Sequence, residues 1–85
     1  MMITGSQIRA ARAVLRISSA ELAERAGVGI QTIKRFEVVD GVPPGRLSTL
    51  ITIRSALERD GIEFVGTPED RPGIRMNFGK RSEAP

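Results

Sequence analysis

The segment from Ser18 to Glu37, SSAELAERAGVGIQTIKRFE, constrains the fold most strongly because it predicts two short helices joined by a tight turn. Ser18 and Glu21 have the spacing of a capping box, in which each side chain accepts a hydrogen bond from the backbone N–H of the other residue. Gly27 follows the first helix where a left-handed backbone conformation commonly ends a helix. The second helix begins near Gly29, and the layout is that of a helix-turn-helix.

The apolar residues of each helix fall on one face. Leu22 and Ala26 are four residues apart in the first helix, and Ile33 and Phe36 are three apart in the second. Ala23 is a small residue where the second helix must cross close to the first. The second helix keeps an outward, polar and basic face formed by Ile30, Gln31, Lys34 and Arg35.

Composition excludes several classes of function. The chain has 85 residues, which is enough for one small domain, and it contains no cysteine and no histidine. Disulfides, Cys/His zinc sites and histidine acid–base catalysis are therefore excluded. We predict no catalytic residue, no metal site and no cofactor, and an enzyme is disfavoured because so short a chain encloses little substrate. No long apolar run or signal peptide is present, so we expect a cytoplasmic protein that does not enter membranes.

Charge is distributed unevenly along the chain. Residues 1–35 carry six basic and two acidic side chains, residues 36–70 carry three and seven, and residues 71–85 carry four and one. Positive charge thus accompanies the helix-turn-helix and the end of the chain, and negative charge lies between them. This pattern is typical of a nucleic-acid-binding protein, although a mixed solvated surface would also produce it.

Two further helices are predicted around this motif. Thr4 and Gln7 form a second capping box, which predicts a helix over residues 5–15. Residues 38–45 contain Asp-Gly and Pro-Pro and are predicted to be a loop. A helix then runs from about Arg46 to Gly61, with Ser48 as an alternative N-cap. A broad apolar stripe on this helix is formed by Leu47, Leu50, Ile51, Ile53 and Leu57.

The last quarter of the chain changes to a two-residue period. Residues 62–65 and 74–78 alternate apolar and polar side chains, with Ile74, Met76 and Phe78 on one face. We predict two antiparallel strands joined by a connector over residues 66–73. This hairpin, assigned to residues 62–79, extends the domain of residues 1–61 and either folds back on the helices or pairs with another chain. Residues 80–85 are predicted to be disordered.

Four helices with the helix-turn-helix at the second and third resemble the Cro and lambda-repressor (XRE) family of DNA-binding domains. The resemblance covers roughly residues 5–60 and rests on family spacing of Leu22, Ala23, Gly27, Val28, Ile33 and Phe36. The motifs GIEFV and RPGIRMNF resemble the ending of short bacterial regulators in that family. The resemblance implies a mainly α, four-helix lambda-repressor-like fold with a short C-terminal β-hairpin. It also implies a transcriptional regulator, usually a repressor, that binds double-stranded DNA as a homodimer.

The resemblance also assigns roles by position. Contacts to base edges fall to Ile30, Gln31, Lys34 and Arg35, whose chemistry suits adenine, guanine and the thymine methyl group. Contacts to phosphates fall to Ser19, Thr32, Arg25 and Arg46. An ion pair is expected between Arg12 of the first helix and Glu37 at the end of the recognition helix.

The chain departs from the family's pattern at Ser19, at Gly29, and after Glu37, where Val-Val-Asp-Gly replaces an early glycine. Ser19 stands where many members have a phosphate-binding glutamine, and Gly29 replaces the usual Ser or Thr N-cap. An alternative hypothesis is therefore a protein-interaction module, such as an antitoxin or antiactivator. It would hold a protein partner through Ile30, Ser19 and the edge of the hairpin, and the dimer itself could form through the C-terminal strands.

Overall fold

The computed structural model describes residues 2–77, in which four helices precede a two-stranded antiparallel sheet. Both the mainly α composition and the C-terminal hairpin were predicted from the sequence. The elements in chain order are α1 (Gly5–Leu15), α2 (Ser19–Ala26), α3 (Ile30–Glu37), α4 (Leu47–Arg59), β1 (Ile62–Thr67) and β2 (Asp70–Met76).

Side-chain caps fix where the first two helices begin. Both predicted capping boxes are present, between Thr4 and Gln7 at α1 and between Ser18 and Glu21 at α2. Gly27 ends α2 with φ at 70°, in the left-handed conformation that glycine adopts without steric cost. Since Gly27 is followed by only two residues before α3, the turn holds α2 and α3 in direct contact.

The core is small and almost wholly aliphatic. Phe36 is its one fully buried aromatic side chain within the described residues. The helices α1, α2, α3 and α4 all contribute, and Ile62 at the start of β1 closes one end. The largest fully buried apolar side chains are Ile3, Ile8, Leu22, Ile33, Phe36, Ile53 and Leu57.

The loop between α3 and α4 lies against the start of α1. The backbone N–H of Gly5 donates to the carbonyl of Gly41 at 2.9 Å. A Cβ atom on Gly5 would overlap the carbonyl oxygens of Phe36 and Val39, so only glycine permits this approach. The first turn of α1 therefore fixes the path of the chain as it leaves α3.

The predicted apolar stripe of α4 is partly wrong. Leu50, Ile53 and Leu57 are buried, as expected, but Leu47 is 52% exposed and Ile51 is 44% exposed. The helix packs against α2 and β1 on one side, and these two residues lie outside the covered strip. The alternative N-cap at Ser48 is also wrong, because α4 begins at Leu47 with Arg46 as its N-cap.

The hairpin turn is shorter than the predicted connector. Thr67 pairs with Asp70, so only two residues lie between the strands, and most of residues 66–73 belong to the ladder. Gly66, with φ at 76°, lies at an irregularity in the register, and a Cβ there would overlap the Arg71 carbonyl. This bulge also accommodates Pro72, which has no N–H to donate.

The hairpin folds back on the helices of its own chain, which was one of the two predicted arrangements. Its apolar face, which includes Phe64 and Ile74, packs against the core. The amide nitrogen Nε2 of buried Gln7 donates to the carbonyls of Val65, at 3.3 Å, and Gly73, at 2.8 Å. Phe78 and the predicted disordered residues 80–85 lie outside the described part of the chain.

Candidate nucleic-acid interface

The outward face of α3 carries three polar side chains. Gln31, Lys34 and Arg35 are all exposed, whereas Ile33 and Phe36 are buried on the opposite face. Gln31 lies three residues before Lys34 and four before Arg35, so the three side chains are neighbours on one helical surface. The structure thus brings together three of the four residues predicted to contact bases.

Ile30 differs from these three. It was predicted to point away from the core, but it is only half exposed and packs against the hydrophobic core. As the first residue of α3, it lies close to the turn that follows α2. Ile30 therefore packs against the core and also forms part of the outer surface of α3.

The cations of α3 lack acidic partners. Within residues 2–77, Lys34, Arg35 and Arg46 form no ion pair with a carboxylate, and the same holds for Arg16 and Arg59. Each of the other arginines in the described part of the chain lies within salt-bridge distance of an Asp or Glu: Arg9, Arg12, Arg25, Arg54, Arg71 and Arg75. Positive charge on α3 and at the start of α4 is therefore available to an anionic ligand.

Arg35 has one intramolecular contact that affects its orientation. Its guanidinium carbon lies 5.7 Å from the ring centroid of Phe36, within the range of a cation–π interaction. The Arg35 guanidinium donates no hydrogen bond to another residue of the described chain, so its N–H groups remain available to a ligand. A partly ordered arginine loses less entropy on binding than a freely rotating one.

The residues predicted to contact phosphates lie in different environments. Ser19 is the first residue of α2 and Thr32 lies in the first turn of α3, and both are half-buried. Arg46 is exposed at the N-cap of α4. Arg25, in contrast, forms an ion pair with Asp60 that joins the end of α2 to the end of α4. A phosphate would have to compete with that carboxylate for Arg25.

The predicted pair between Arg12 and Glu37 is present. Arg12 donates to both carboxylate oxygens of Glu37, at 2.8 and 3.0 Å, and its third bond reaches the Ile17 carbonyl at 3.1 Å. The hydrogen bond to Glu37 raises the pKa of the Arg12 guanidinium above its ordinary value. Glu37 is only 7% exposed, so the pair is largely shielded from water. It joins the end of α3 to α1.

Arg9 has a similar role that sequence reasoning missed. It donates to the backbone carbonyls of Glu37 and Val39 and to the carboxylate of Asp40. The hydrogen bond from Arg9 lowers the pKa of the Asp40 carboxyl. The positive charge of Arg9 and a hydrogen bond from Ser6 lower this pKa further. Thirty-one residues separate Arg9 from Asp40, so no local pattern in the sequence links them.

No protein-family model matches this sequence, and no curated protein matches it at a significant level. Among the helices of residues 2–77, none is both long and apolar enough to cross a membrane.

Proposed function

We propose that this protein is a sequence-specific, double-stranded-DNA-binding transcriptional regulator of the Cro and lambda-repressor type. In this proposal α2 and α3 form the helix-turn-helix, and α3 is the recognition helix. The observation that carries the proposal is the outward face of α3. Gln31, Lys34 and Arg35 are exposed there, and neither cation is neutralised by a carboxylate of the described chain.

The residues of α3 suit readout in the major groove, which admits one α-helix. The Gln31 amide can donate to N7 of adenine and accept from its N6 amino group. Arg35 and Lys34 can donate to O6 and N7 of guanine. Ile30 offers only part of its side chain to a thymine methyl group, because the rest packs against the core.

Contacts to the DNA backbone would set the orientation of α3. Ser19 at the N-terminus of α2 and Thr32 in the first turn of α3 carry hydroxyl groups that can donate to phosphate oxygens. The N-terminal end of each helix also favours negative charge. Arg46 adds a cation near the start of α4, whereas Arg25 contributes only if it leaves Asp60.

A single recognition helix reads few base pairs, so we propose a homodimer on a palindromic operator. The two copies of α3 would then enter successive major grooves about 34 Å apart. The regulator would act as a repressor by occupying promoter DNA, without catalysing a reaction. Its affinity would fall as salt concentration rises, because each phosphate contact releases bound counterions.

Selection of bound sequences from a random DNA pool tests this proposal directly. We expect a palindromic consensus, and we expect Gln31→Ala and Arg35→Ala each to reduce affinity for it by about 10- to 100-fold. Arg71→Ala is the matched control, because Arg71 is a 90% exposed arginine on the hairpin. The proposal is wrong if no sequence is enriched and all three variants bind DNA as weakly as the wild type.

One observation favours a protein-interaction module as the second candidate. The sheet has two strands within the described residues, so each strand has an outer edge that another chain could extend. A pull-down that returns one stoichiometric protein, whose binding protects the hairpin from hydrogen exchange and is insensitive to Gln31→Ala, would favour this candidate.

A further inference from the structure

Within residues 2–77, the outward side of α4 carries an exposed apolar pair. Leu47 and Ile51 are about half exposed and lie four residues apart, so they are neighbours on the helix. The residues beside and beyond them are small: Ser48, Thr52 and Ser55. Small side chains allow a second helix to approach closely, and the apolar pair gives it a surface to bury.

A groove of about 540 Å³ continues this surface past the C-terminal half of α4. Its lining includes Ser55, Glu58 and Arg59 of α4, together with Ile62 and Glu63 at the start of β1. The helix thus has an exposed apolar pair at its N-terminal end and a partly apolar groove at its C-terminal end. The two features are complementary if a second α4 runs in the opposite direction.

We infer that α4 packs antiparallel against α4 of a second copy of this chain, with Ile51 beside the two-fold axis. This inference deepens the homodimer of the proposed function and rests on it. With Ile51 at the axis, Leu47 of one copy lies opposite Ser55 of the other and enters its groove beside Ile62. The same residues make the same contacts twice, as a two-fold interface requires.

The charges of the groove also favour this register, because two carboxylates, those of Glu58 and Glu63, line it against one guanidinium, that of Arg59. Arg46 forms no ion pair with a carboxylate of residues 2–77, and it lies opposite the turn that contains Glu58 of the second copy. Glu58 and Glu63 each contact an arginine of their own chain, and a carboxylate can accept further hydrogen bonds. Arg46 then stabilises the dimer.

The area of this interface sets its strength. The 13 residues of α4 span about 20 Å, and one helix pair with two filled grooves is smaller than a standard stable interface. We therefore expect a weak dimer in free solution that strengthens on palindromic DNA, where both copies are held side by side.

Sedimentation equilibrium over a range of concentrations tests the inference. We expect Ile51→Glu to raise the dimer dissociation constant at least about tenfold, because two like charges then meet at the axis. Val14→Glu is the matched control, because Val14 is a 48% exposed apolar residue on α1. Circular dichroism of each variant shows that it keeps the wild-type fold. An Ile51→Glu variant that dimerises like the wild type overturns the inference, as does a wild-type chain that stays monomeric at millimolar concentration.

A charge exchange tests the register. We expect Arg46→Glu and Glu58→Arg each to weaken the dimer and the double variant to recover most of the loss. If the free energies of dimerisation lost by the two single variants simply add in the double variant, this register is wrong.

DNA binding separates failure of this inference from failure of the proposed function. On a single half-site, Ile51→Glu should bind like the wild type, because α3 is untouched. On the full palindrome it should lose cooperativity. Cooperative palindrome binding by Ile51→Glu would place the dimer interface elsewhere and leave the regulator intact. If no DNA sequence is selected, the mass measurements still decide the α4 interface.

Discussion

The arginines of α1 and the cations of α3 carry the same charge but have opposite environments. Arg9 donates to the carboxylate of Asp40 and to the backbone carbonyls of Glu37 and Val39. Arg12 donates to the carboxylate of Glu37 and to the backbone carbonyl of Ile17. Lys34 and Arg35 face solvent and have no acidic partner within residues 2–77. The first pair fixes where α3 lies, and the second pair remains free to bind a ligand.

This difference separates the arginines whose charge is used within the fold from the cations whose charge is available to a ligand. Arg12 holds Glu37 at the last residue of α3, and Arg9 binds the carbonyls that follow. Both arginines therefore set the position of the helix whose outer surface carries the free cations. Removing an α1 arginine should reduce stability, whereas removing an α3 cation should reduce binding.

Arg12→Ala should give the largest effect. Glu37 would remain buried without its partner, and breaking a buried pair from one side costs about 3 kcal/mol of unfolding free energy. Urea denaturation, monitored by circular dichroism, measures this loss of unfolding free energy. The double variant Arg12→Met, Glu37→Leu is the control and should lose much less, because no charge is left buried. A loss below about 1 kcal/mol for Arg12→Ala would show that solvent compensates Glu37.

Replacing both Lys34 and Arg35 by alanine should produce the reverse pattern. We expect the free energy of unfolding to change by less than about 0.5 kcal/mol, because both side chains are exposed. Binding to the selected operator should weaken by about 2 kcal/mol or more, and the dependence of affinity on salt should become shallower. Fluorescence polarisation at several salt concentrations measures both. A large loss of stability would contradict the division of roles between the two helices.

Arg9→Ala should have a smaller effect on stability than Arg12→Ala. Its bonds are to two backbone carbonyls and to an exposed carboxylate, and its side chain is partly exposed. We expect a loss of about 1 kcal/mol in the same urea experiment. Hydrogen exchange at residues 38–41 should rise in this variant but not in Arg75→Ala, which removes an exposed ion pair on the hairpin. Equal exchange in both variants would mean that Arg9 does not hold the loop.

Asp40→Asn should have the smallest effect, and it should depend on pH. Arg9 lowers the pKa of the Asp40 carboxyl below its ordinary 3.8, so the folded state favours the ionised form. The resulting stabilisation is fully present above pH 3.8 and is lost as the pH falls below it, through the folded-state pKa. The melting temperatures of wild type and Asp40→Asn should therefore differ slightly at neutral pH and converge in acid. If the difference in melting temperature stays constant with pH, ionisation of Asp40 is not its cause.

Local signals in the sequence predicted the first three helices correctly. The capping residues Thr4, Gln7, Ser18 and Glu21 and the terminal Gly27 all act within one helical turn of their own position. Their effect therefore needs no knowledge of the rest of the fold. The burial of Ile33 and Phe36, and hence the direction in which Gln31 and Arg35 point, followed from their spacing alone.

The features that the sequence did not predict depend on distant neighbours. Leu47 and Ile51 fit the apolar period of α4, but burial depends on how much of that helix α2 and β1 cover. The predicted connector between the strands was too long because the ladder continues past a bulge at Gly66. Pairing with the opposite strand determines this bulge. The bond between Arg9 and Asp40 depends on the loop reaching α1 at Gly5.

The buried amide of Gln7 has a consequence for the time at which this chain can finish folding. Its side chain completes the cap of α1 through Thr4 and also donates to carbonyls in both strands of the hairpin. The donor and acceptors are 58 and 66 residues apart, nearly the full described length. The Gln7 amide nitrogen therefore donates to water until the hairpin has formed, and only then exchanges water for the two carbonyls. The native state is consequently completed only when both strands of the hairpin have packed against α1.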